Sequence, residues 1–403
     1  MSRRLLWINH FAILPGAGGG TRHFEMSREL VRRGWDVTVA ASDLNLHSRE
    51  YSHRAGAADT AVHAEDVDGV RFRFLWAAPY EKNDWRRAWN WLSFTRNLQR
   101  WTPDMGRPDV VIGSSPHLLA ARAGLKMARR WGVPFVFEVR DLWPESLLAA
   151  GGSKGLAYTA FDRIAERLYR EADRIVAFAQ GTIDFLERER GVPRAKMAYI
   201  PNGVDPSAFA PVDRSGQARM VCTYAGAHGP ANGLDVVLDA ADRLRDRADV
   251  GFRLVGAGPV KAELVAEAAR RGLANVEFAH PVPKAEMPRV LAEAGAGLMI
   301  LRDTPLFAFG VSPNKLFDYM GAALPVVCNV PGDTARMVAE AGAGEQAAPG
   351  DGASLAEAVA RLADRSAEER AAMGAAGRAW VSREHGREVL AERLDALLSG
   401  LVG

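Results

Sequence analysis

The feature that most constrains this chain is its alternation of short apolar runs with longer amphipathic stretches. Arg4-Leu-Leu-Trp-Ile-Asn9 has the unbroken apolar character of a strand buried on both faces. A loop from His10 to Gly20 follows, with glycines at 16, 18, 19 and 20. Thr21 is placed to cap a helix over 22–33, Gly34 ends it, and Trp35-Asp-Val-Thr-Val-Ala40 is the next strand. Such a unit belongs in a parallel sheet with helices on both sides. The pattern continues through strands at 70–76, 108–115, 134–141, 174–178 and 196–200 and helices at 117–130, 155–171 and 181–190, while 42–70 reads as polar and irregular.

A polar stretch over 206–218 marks a domain boundary, and Arg219-Met-Val-Cys-Thr-Tyr-Ala-Gly226 restarts the alternation. Strands follow at 252–256, 275–283, 296–301 and 325–330, with helices at 234–245, 260–271, 284–294, 314–320, 353–363 and 367–381. Leu390, Leu394, Leu397 and Leu401 form the apolar stripe of a final helix. For 403 residues this organisation predicts an α/β protein of two facing doubly wound domains, 1–205 and 206–380, with a terminal helix over 381–403. The cleft between such domains is the expected ligand site.

Within this frame the stretch 309–327 carries the clearest chemistry. Ser312 and Asn314 are candidate caps, Pro313 suits a first helical turn, and Gly321 ends the helix. A helix start offers unpaired N–H groups and a partial positive charge, so it favours phosphate. Lys315 in that turn is locally unfavourable unless an anion is bound, and Asp318 follows at i, i+3 on the same face. The alternative is an ordinary capped helix with a surface ion pair. In the first half, Gly16-x-Gly18 is followed by Thr21 where a dinucleotide fingerprint needs its third glycine, which disfavours an NAD site. Glu138, Arg140, Asp141 and His117 fall at the carboxyl ends of strands, where doubly wound sheets bind ligands. His117 reads equally as a helix-start residue without a role.

Five of the ten tryptophans lie between Trp76 and Trp101. On a helix over 81–101, Trp85, Trp89 and Leu92 share one face and Trp91, Phe94, Leu98 and Trp101 the other. Either both faces are core, or the Trp91 and Trp101 side, with Arg87 beside it, meets a membrane interface. The net charge of +2 offers no global reason to expect nucleic acid. Cys222 and Cys328 fall in strands and read as reduced, buried thiols. The apolar run Leu5–Ile8 is too short for a signal peptide, and no run approaches the roughly 20 apolar residues of a spanning helix, so a cytoplasmic protein is expected, peripheral at most on the inner face of the plasma membrane.

Several strings taken in order resemble the retaining GT-B glycosyltransferases of family 4: Ile200-Pro-Asn-Gly-Val-Asp205, Tyr224-Ala-Gly226, Leu254-Val-Gly-Ala-Gly-Pro259, Ser312-Pro-Asn-Lys-Leu-Phe-Asp-Tyr-Met320 and Pro325-Val-Val327. Gly18-Gly-Gly-Thr-Arg-His23 and Glu138-Val-Arg-Asp-Leu-Trp-Pro-Glu-Ser146 resemble the branch that includes bacterial N-acetylfucosamine (FucNAc) transferases of surface-polysaccharide synthesis. The resemblance implies transfer of a sugar from a UDP-sugar, with retention and without a metal or further cofactor, to a polyprenyl-diphosphate-linked saccharide or similar acceptor. It implies that Gly18, Gly19, Gly20 and Thr21 face the diphosphate, Asp318 meets the ribose, Val282 lies in the loop that reads the base, and Arg140 and Asp141 sit near the transferred sugar. Asn202 and Gly226 fall in its motifs.

Two departures matter. The first acid of the family's paired-acid motif would fall at Gly310, and its usual cations map near Ala227–His228 and Asn232. Lys315 with the N–H groups of 312–315 would compensate, and His228 would add a hydrogen bond or partial charge. The competing readings are a UDP-sugar epimerase, which needs acid/base carboxylates from among Glu138, Asp141 and Glu145, and a non-catalytic sugar-nucleotide-binding partner.

Overall fold

The computed structural model describes residues 2–403 apart from 17–19, 47, 57, 83, 150–152, 211, 305–306 and 308–309. Gly18 and Gly19 therefore lie outside the described residues. The chain divides into two compact units, Met1–Pro201 with Leu390–Gly403, and Asn202–Val389.

In the first unit the strands are β1 (Arg3–Ile8), β2 (Trp35–Ser42), β3 (His63–Val67), β4 (Val70–Leu75), β5 (Val110–Ser114), β6 (Phe135–Val139), β7 (Arg174–Ala177) and β8 (Met197–Tyr199). They form one sheet in the order β3-β4-β2-β1-β5-β6-β7-β8, parallel except for the β3–β4 hairpin at its edge. The helices are α1 (Arg22–Arg32), α2 (Trp85–Arg100), α3 (Leu118–Trp131), α4 (Glu145–Ala149), α5 (Leu156–Glu171) and α6 (Gln180–Arg190).

Strand alternation explains why β1 is apolar from Leu5 to Ile8. Leu6 and Ile8 point into a core shared with α2, α3 and α5, while Leu5 and Trp7 point into the opposite core with α1. The expected irregular segment 42–70 contains β3 and a loop that closes over the buried Arg54. Arg54 donates to the Asp43 carboxylate at 2.6 Å and to the carbonyls of Asp59 (2.7 Å), Ala61 (3.2 Å) and Phe74 (3.3 Å). Sequence periodicity does not see such a loop, because its order comes from a buried charge rather than from an apolar face.

The second unit has β9 (Met220–Ala225), β10 (Val250–Val255), β11 (Val276–Ala279), β12 (Ala296–Met299), β13 (Val326–Cys328) and β14 (Gly344–Gln346), all parallel in the order β11-β10-β9-β12-β13-β14. Its helices are α7 (Asp235–Arg243), α8 (Lys261–Arg271), α9 (Met287–Ala292), α10 (Asn314–Gly321), α11 (Asp333–Glu340), α12 (Gly352–Ala363) and α13 (Ala367–His385). Cys222 and Cys328 are buried thiols, each pushed up to about 12 by burial. No helix among the described residues is long and apolar enough to cross a membrane.

The last helix, α14 (Arg387–Val402), buries Leu390, Ala391, Leu394 and Leu398 in the α1-side core of the first unit, with Leu397 and Leu401 at the margin. Leu398 thus takes the central place that the periodicity assigns to Leu397. Trp35 Nε1 donates to Asp395 at 2.7 Å and fixes the helix rotation. Truncating a buried leucine forfeits its transfer free energy and leaves a cavity. Leu394→Ala should destabilise the first unit by about 2–5 kcal/mol, read as a lower urea midpoint for tryptophan fluorescence; an unchanged midpoint would show that the helix adds nothing to that core.

Candidate functional site

Each sheet has one place where consecutive connections leave in opposite directions, between β1 and β5 in the first unit and between β9 and β12 in the second. At such a switch point the loops diverge beyond the carboxyl ends of the strands and leave a crevice for a ligand. Most of the site residues expected from the sequence lie beyond these two strand ends, each group within its own unit.

In the second unit, the loop after β9 meets the start of α10. Lys315, one residue into the helix, is half-buried; its Nζ donates to Tyr224 Oη at 3.0 Å and Asn232 Oδ1 at 3.2 Å and sits 4.3 Å from the centre of the Tyr224 ring. No described carboxylate forms an ion pair with it, and burial pushes its pKa down to about 7. Asn232, where the resemblance implied a cation, is a neutral acceptor for the lysine that α10 provides. Gly226 lines the same spot: a Cβ there would stand 3.5 Å from Lys315 Cε. Asp318 is half-buried one turn further on.

His228 is fully buried, and neither ring nitrogen has a hydrogen-bond partner among the described residues. Burial, then Lys261 and Lys315, lower its pKa. It is a neutral imidazole, which leaves the expected hydrogen bond available and removes the expected partial charge. Its backbone is clasped by Gly256-Ala-Gly258: a Cβ on Gly258 would lie 2.3 Å from the His228 carbonyl oxygen and one on Gly256 only 1.9 Å from that of Gly226. Both glycines have positive φ, at 158° and 152°, so this contact accepts no side chain.

The capping expected of Ser312 and Asn314 does not form. Pro313 occupies the cap position without a side-chain cap, and Asn314 is the first helical residue, exposed. Ser312 Oγ instead accepts from the Asn202 backbone N–H at 2.8 Å, while Asn202 Nδ2 donates to the Ser312 carbonyl at 2.6 Å. A reciprocal long-range clamp wins over a local cap because it satisfies two polar pairs at once, and the first turn of α10 is left without a side-chain cap. Val282 lies half-buried in the loop after β11.

In the first unit, two of the sequence strings meet. Glu138 at the end of β6 accepts from Ser114 Oγ at 2.6 Å, lies 3.1 Å from His23 Nε2 and pairs with Arg22 at 3.6 Å. Trp7 Nε1 donates to the same Ser114 oxygen, and Asn9 Nδ2 lies 2.7 Å from His23 Nε2. Burial opposes the Glu138 charge, but the hydrogen-bonded His23 first, and then the Arg22 and Arg140 guanidiniums, outweigh it and hold the carboxyl below its usual range. Burial pushes His23 down to about 4, so the ring is neutral. Glu138 is only 1% exposed and fastens Arg22 and His23 of α1 to the sheet.

Thr21 is the N-cap residue of α1, but its hydroxyl donates to the Glu25 carboxylate rather than capping a backbone N–H; Gly20 is exposed. His117 is buried in an aromatic nest, its ring 4.8 Å from those of His10 and Trp91, and neither nitrogen has a side-chain hydrogen-bond partner among the described residues. Burial, then His10 and Arg87, lower its pKa well below the usual value. Ser115 Oγ accepts from the backbone N–H groups of Arg140 (2.9 Å) and Asp141 (3.2 Å), which sets the turn that carries them. Arg140 is half-buried, 5.5 Å from the Phe178 ring, with no carboxylate in ion-pair reach among the described residues. Asp141 is exposed beside it.

Sequence reasoning missed Tyr224, Ser115, His10 and Asn9. Each sits in or beside an apolar strand, where one-dimensional pattern marks them only as core or strand end.

A model of the Glycosyl transferase 4-like domain matches residues 17–203, and one of the Glycosyl transferases group 1 matches 219–365. The chain is 27% identical over 236 residues to the colanic acid biosynthesis glycosyl transferase WcaI of Escherichia coli (strain K12), a match spanning 54% of this chain and 55% of that protein. It is 26% identical over 398 residues to a D-inositol 3-phosphate glycosyltransferase of Kineococcus radiotolerans, covering 90% of this chain and 86% of that one. Among solved structures, Anabaena HepE in complex with UDP and glucose superposes with a TM-score of 0.70 at 16% identity, covering 99% of this chain and 100% of that one; this likeness is one of fold.

The lowered pKa of Lys315 has a sign that stability measurements can read. In the folded chain the amine titrates near 7 and in the unfolded chain near its ordinary 10.5, so between those values the unfolded state binds more protons and stability rises with pH. Lys315→Met removes the penalty of burying the charge. The variant should melt above the natural protein at pH 6–7, and the gap should narrow as pH rises toward 9.5. A constant gap in thermal denaturation would show that Lys315 is not under that strain.

Proposed function

The chain belongs to the GT-B glycosyltransferases of the GT4 type, and we propose that it moves a sugar, with retention, from a UDP-sugar to a lipid-linked or oligosaccharide acceptor in cell-surface polysaccharide synthesis. The observation that carries this reading is Lys315: a half-buried cation without a carboxylate partner among the described residues, at a helix start with no side-chain cap, beyond the switch point of a parallel sheet. A diphosphate supplies the missing charge, and the helix N–H groups add donors. In this reading Asp318 meets the ribose and Val282 the base, while His228 offers a ring nitrogen to a phosphate oxygen or the sugar. The transferred sugar is an N-acetylated or deoxy hexose, as in the FucNAc transferase branch.

The chemistry asks for little covalent participation by the protein. The acceptor hydroxyl oxygen bonds to the anomeric carbon as the bond from that carbon to the β-phosphate oxygen breaks. The hydroxyl proton passes to the departing diphosphate. Charge builds on that diphosphate, so a fixed cation contributes most in the transition state. Arg140, without an ion-pair partner among the described residues, and Asp141 beside it are the first-unit groups that this reading assigns to the transferred sugar. No metal or further cofactor enters this scheme.

The acceptor reading includes contact with a membrane surface, and here the face of α2 differs from the expected one. Trp91, Phe94 and Leu98 are core, whereas Trp85, Trp89 and Leu92 are 71%, 49% and 50% exposed. The helix carries Arg86, Arg87, Arg96 and Arg100 and no acid. Aromatic and basic side chains together suit an anionic interface.

The test is transfer of label from a panel of UDP-sugars to lipid-extractable acceptor in membranes, with UDP release. Epimerised free nucleotide, or binding without turnover, would overturn the reading. Lys315→Ala should lower turnover by about 10²–10³-fold with the fold intact by circular dichroism. Trp85→Ala combined with Trp89→Ala should reduce co-sedimentation with anionic vesicles; unaltered co-sedimentation removes α2 from the membrane reading.

A further inference from the structure

Lys315 is held in an unusual way. An ammonium has three N–H donors. Two point at neutral oxygens, Tyr224 Oη at 3.0 Å and Asn232 Oδ1 at 3.2 Å, and no described acceptor takes the third. The Tyr224 hydroxyl has already spent its own hydrogen on the Ala227 carbonyl, at 2.9 Å, so toward the lysine it presents only a lone pair. Burial raises the phenol, which keeps it protonated and uncharged.

The groups around the lysine share this bias against negative charge. From the loop after β9, His228 is a neutral imidazole. From α8, Lys261 adds a second cation, satisfied by the carbonyls of Gly256 (2.7 Å) and Ala279 (2.6 Å) rather than by an acid. On α10 itself the helix start is positive, and Asp318, a turn away, forms no ion pair with Lys315 among the described contacts. A surface lysine normally finds a carboxylate or water; here the elements packed on it provide neutral oxygens and further positive potential.

We propose that Tyr224 and Asn232 are positioning residues that hold the Lys315 ammonium by neutral oxygens only, so that its charge and third N–H are reserved for the diphosphate of the donor. This rests on the donor reading above and adds two residues and a reason for the uncharged side chain at 232. A carboxylate at that position would hold the lysine more tightly and spend its charge internally. An asparagine of the same shape fixes the direction of the amine and leaves the charge for the ligand. The arrangement also couples donor binding to proton uptake, because an amine held only by neutral groups loses its proton more readily before the anion arrives.

The test is calorimetric titration of the full chain with UDP from pH 6 to pH 9. Wild-type affinity should be highest near pH 6–7 and fall at least tenfold by pH 9, with protons taken up from the buffer. Asn232→Asp should weaken UDP binding at least tenfold at pH 7 and move the midpoint of the pH dependence upward, since the new carboxylate keeps the lysine charged. Tyr224→Phe, which keeps the ring and removes the lone pair, should weaken UDP binding threefold or more while uridine binding stays within twofold. UDP affinities within twofold of wild type in both variants would overturn the inference, as would weakening in Asn232→Asp with an unmoved midpoint, which assigns the loss to charge repulsion alone. If the wild-type chain does not bind UDP at any pH, the donor reading itself fails, a result distinct from either of these.

Discussion

A parallel sheet covered on both faces leaves its strand ends as the places where polar groups can gather without burying an unpaired backbone. The rest of this structure follows from that constraint. Apart from β3 at the edge of the first sheet, the strands of each unit point their carboxyl ends the same way, so the loops after β1, β5 and β6 in one unit and after β9 and β12 in the other collect the groups that the core cannot hold. Lys315, His228, Arg140 and His117 are all products of this sorting. Each is buried or half-buried, and none has an ion-pair partner among the described residues.

The two collections differ in electrostatic design. The first unit neutralises much of its own charge: Glu138 is surrounded by Ser114, His23 and Arg22, so its charge serves to tie α1 to β6. The second unit leaves Lys315 uncompensated, at a cost in stability that burial alone would not justify. A protein keeps such strain where a ligand relieves it, which is why the donor reading starts from Lys315 rather than from Glu138.

Much of the fold was legible in advance because parallel strands buried on both faces announce themselves as short apolar runs, and glycines such as Gly34 and Gly132 mark where helices stop. The misreadings share one physical origin. Ser312 looks like a cap because a serine before a helix usually is one, yet its hydroxyl is committed to Asn202, 110 residues away in the chain. Both faces of α2 carry tryptophan, and periodicity alone does not say which side meets the core; packing on α3 and α5 selects Trp91 and leaves Trp85 and Trp89 outside. Of the candidate site, Lys315 was legible from its position in a helix start, while Tyr224 was not, since a tyrosine in a buried strand has no mark that separates packing from chemistry.

The sequence by itself determined the class of fold, the order of its elements and the presence of a cation at the start of α10, because hydrophobic period, turn residues and helix-start chemistry are local properties. Only the tertiary structure decided what that cation is worth. Whether Lys315 faces a carboxylate or two neutral oxygens depends on which strand and loop the fold lays against α10, and its charge state follows from that contact. Long-range juxtaposition sets both the burial and the partners of a charge, and a one-dimensional pattern carries neither.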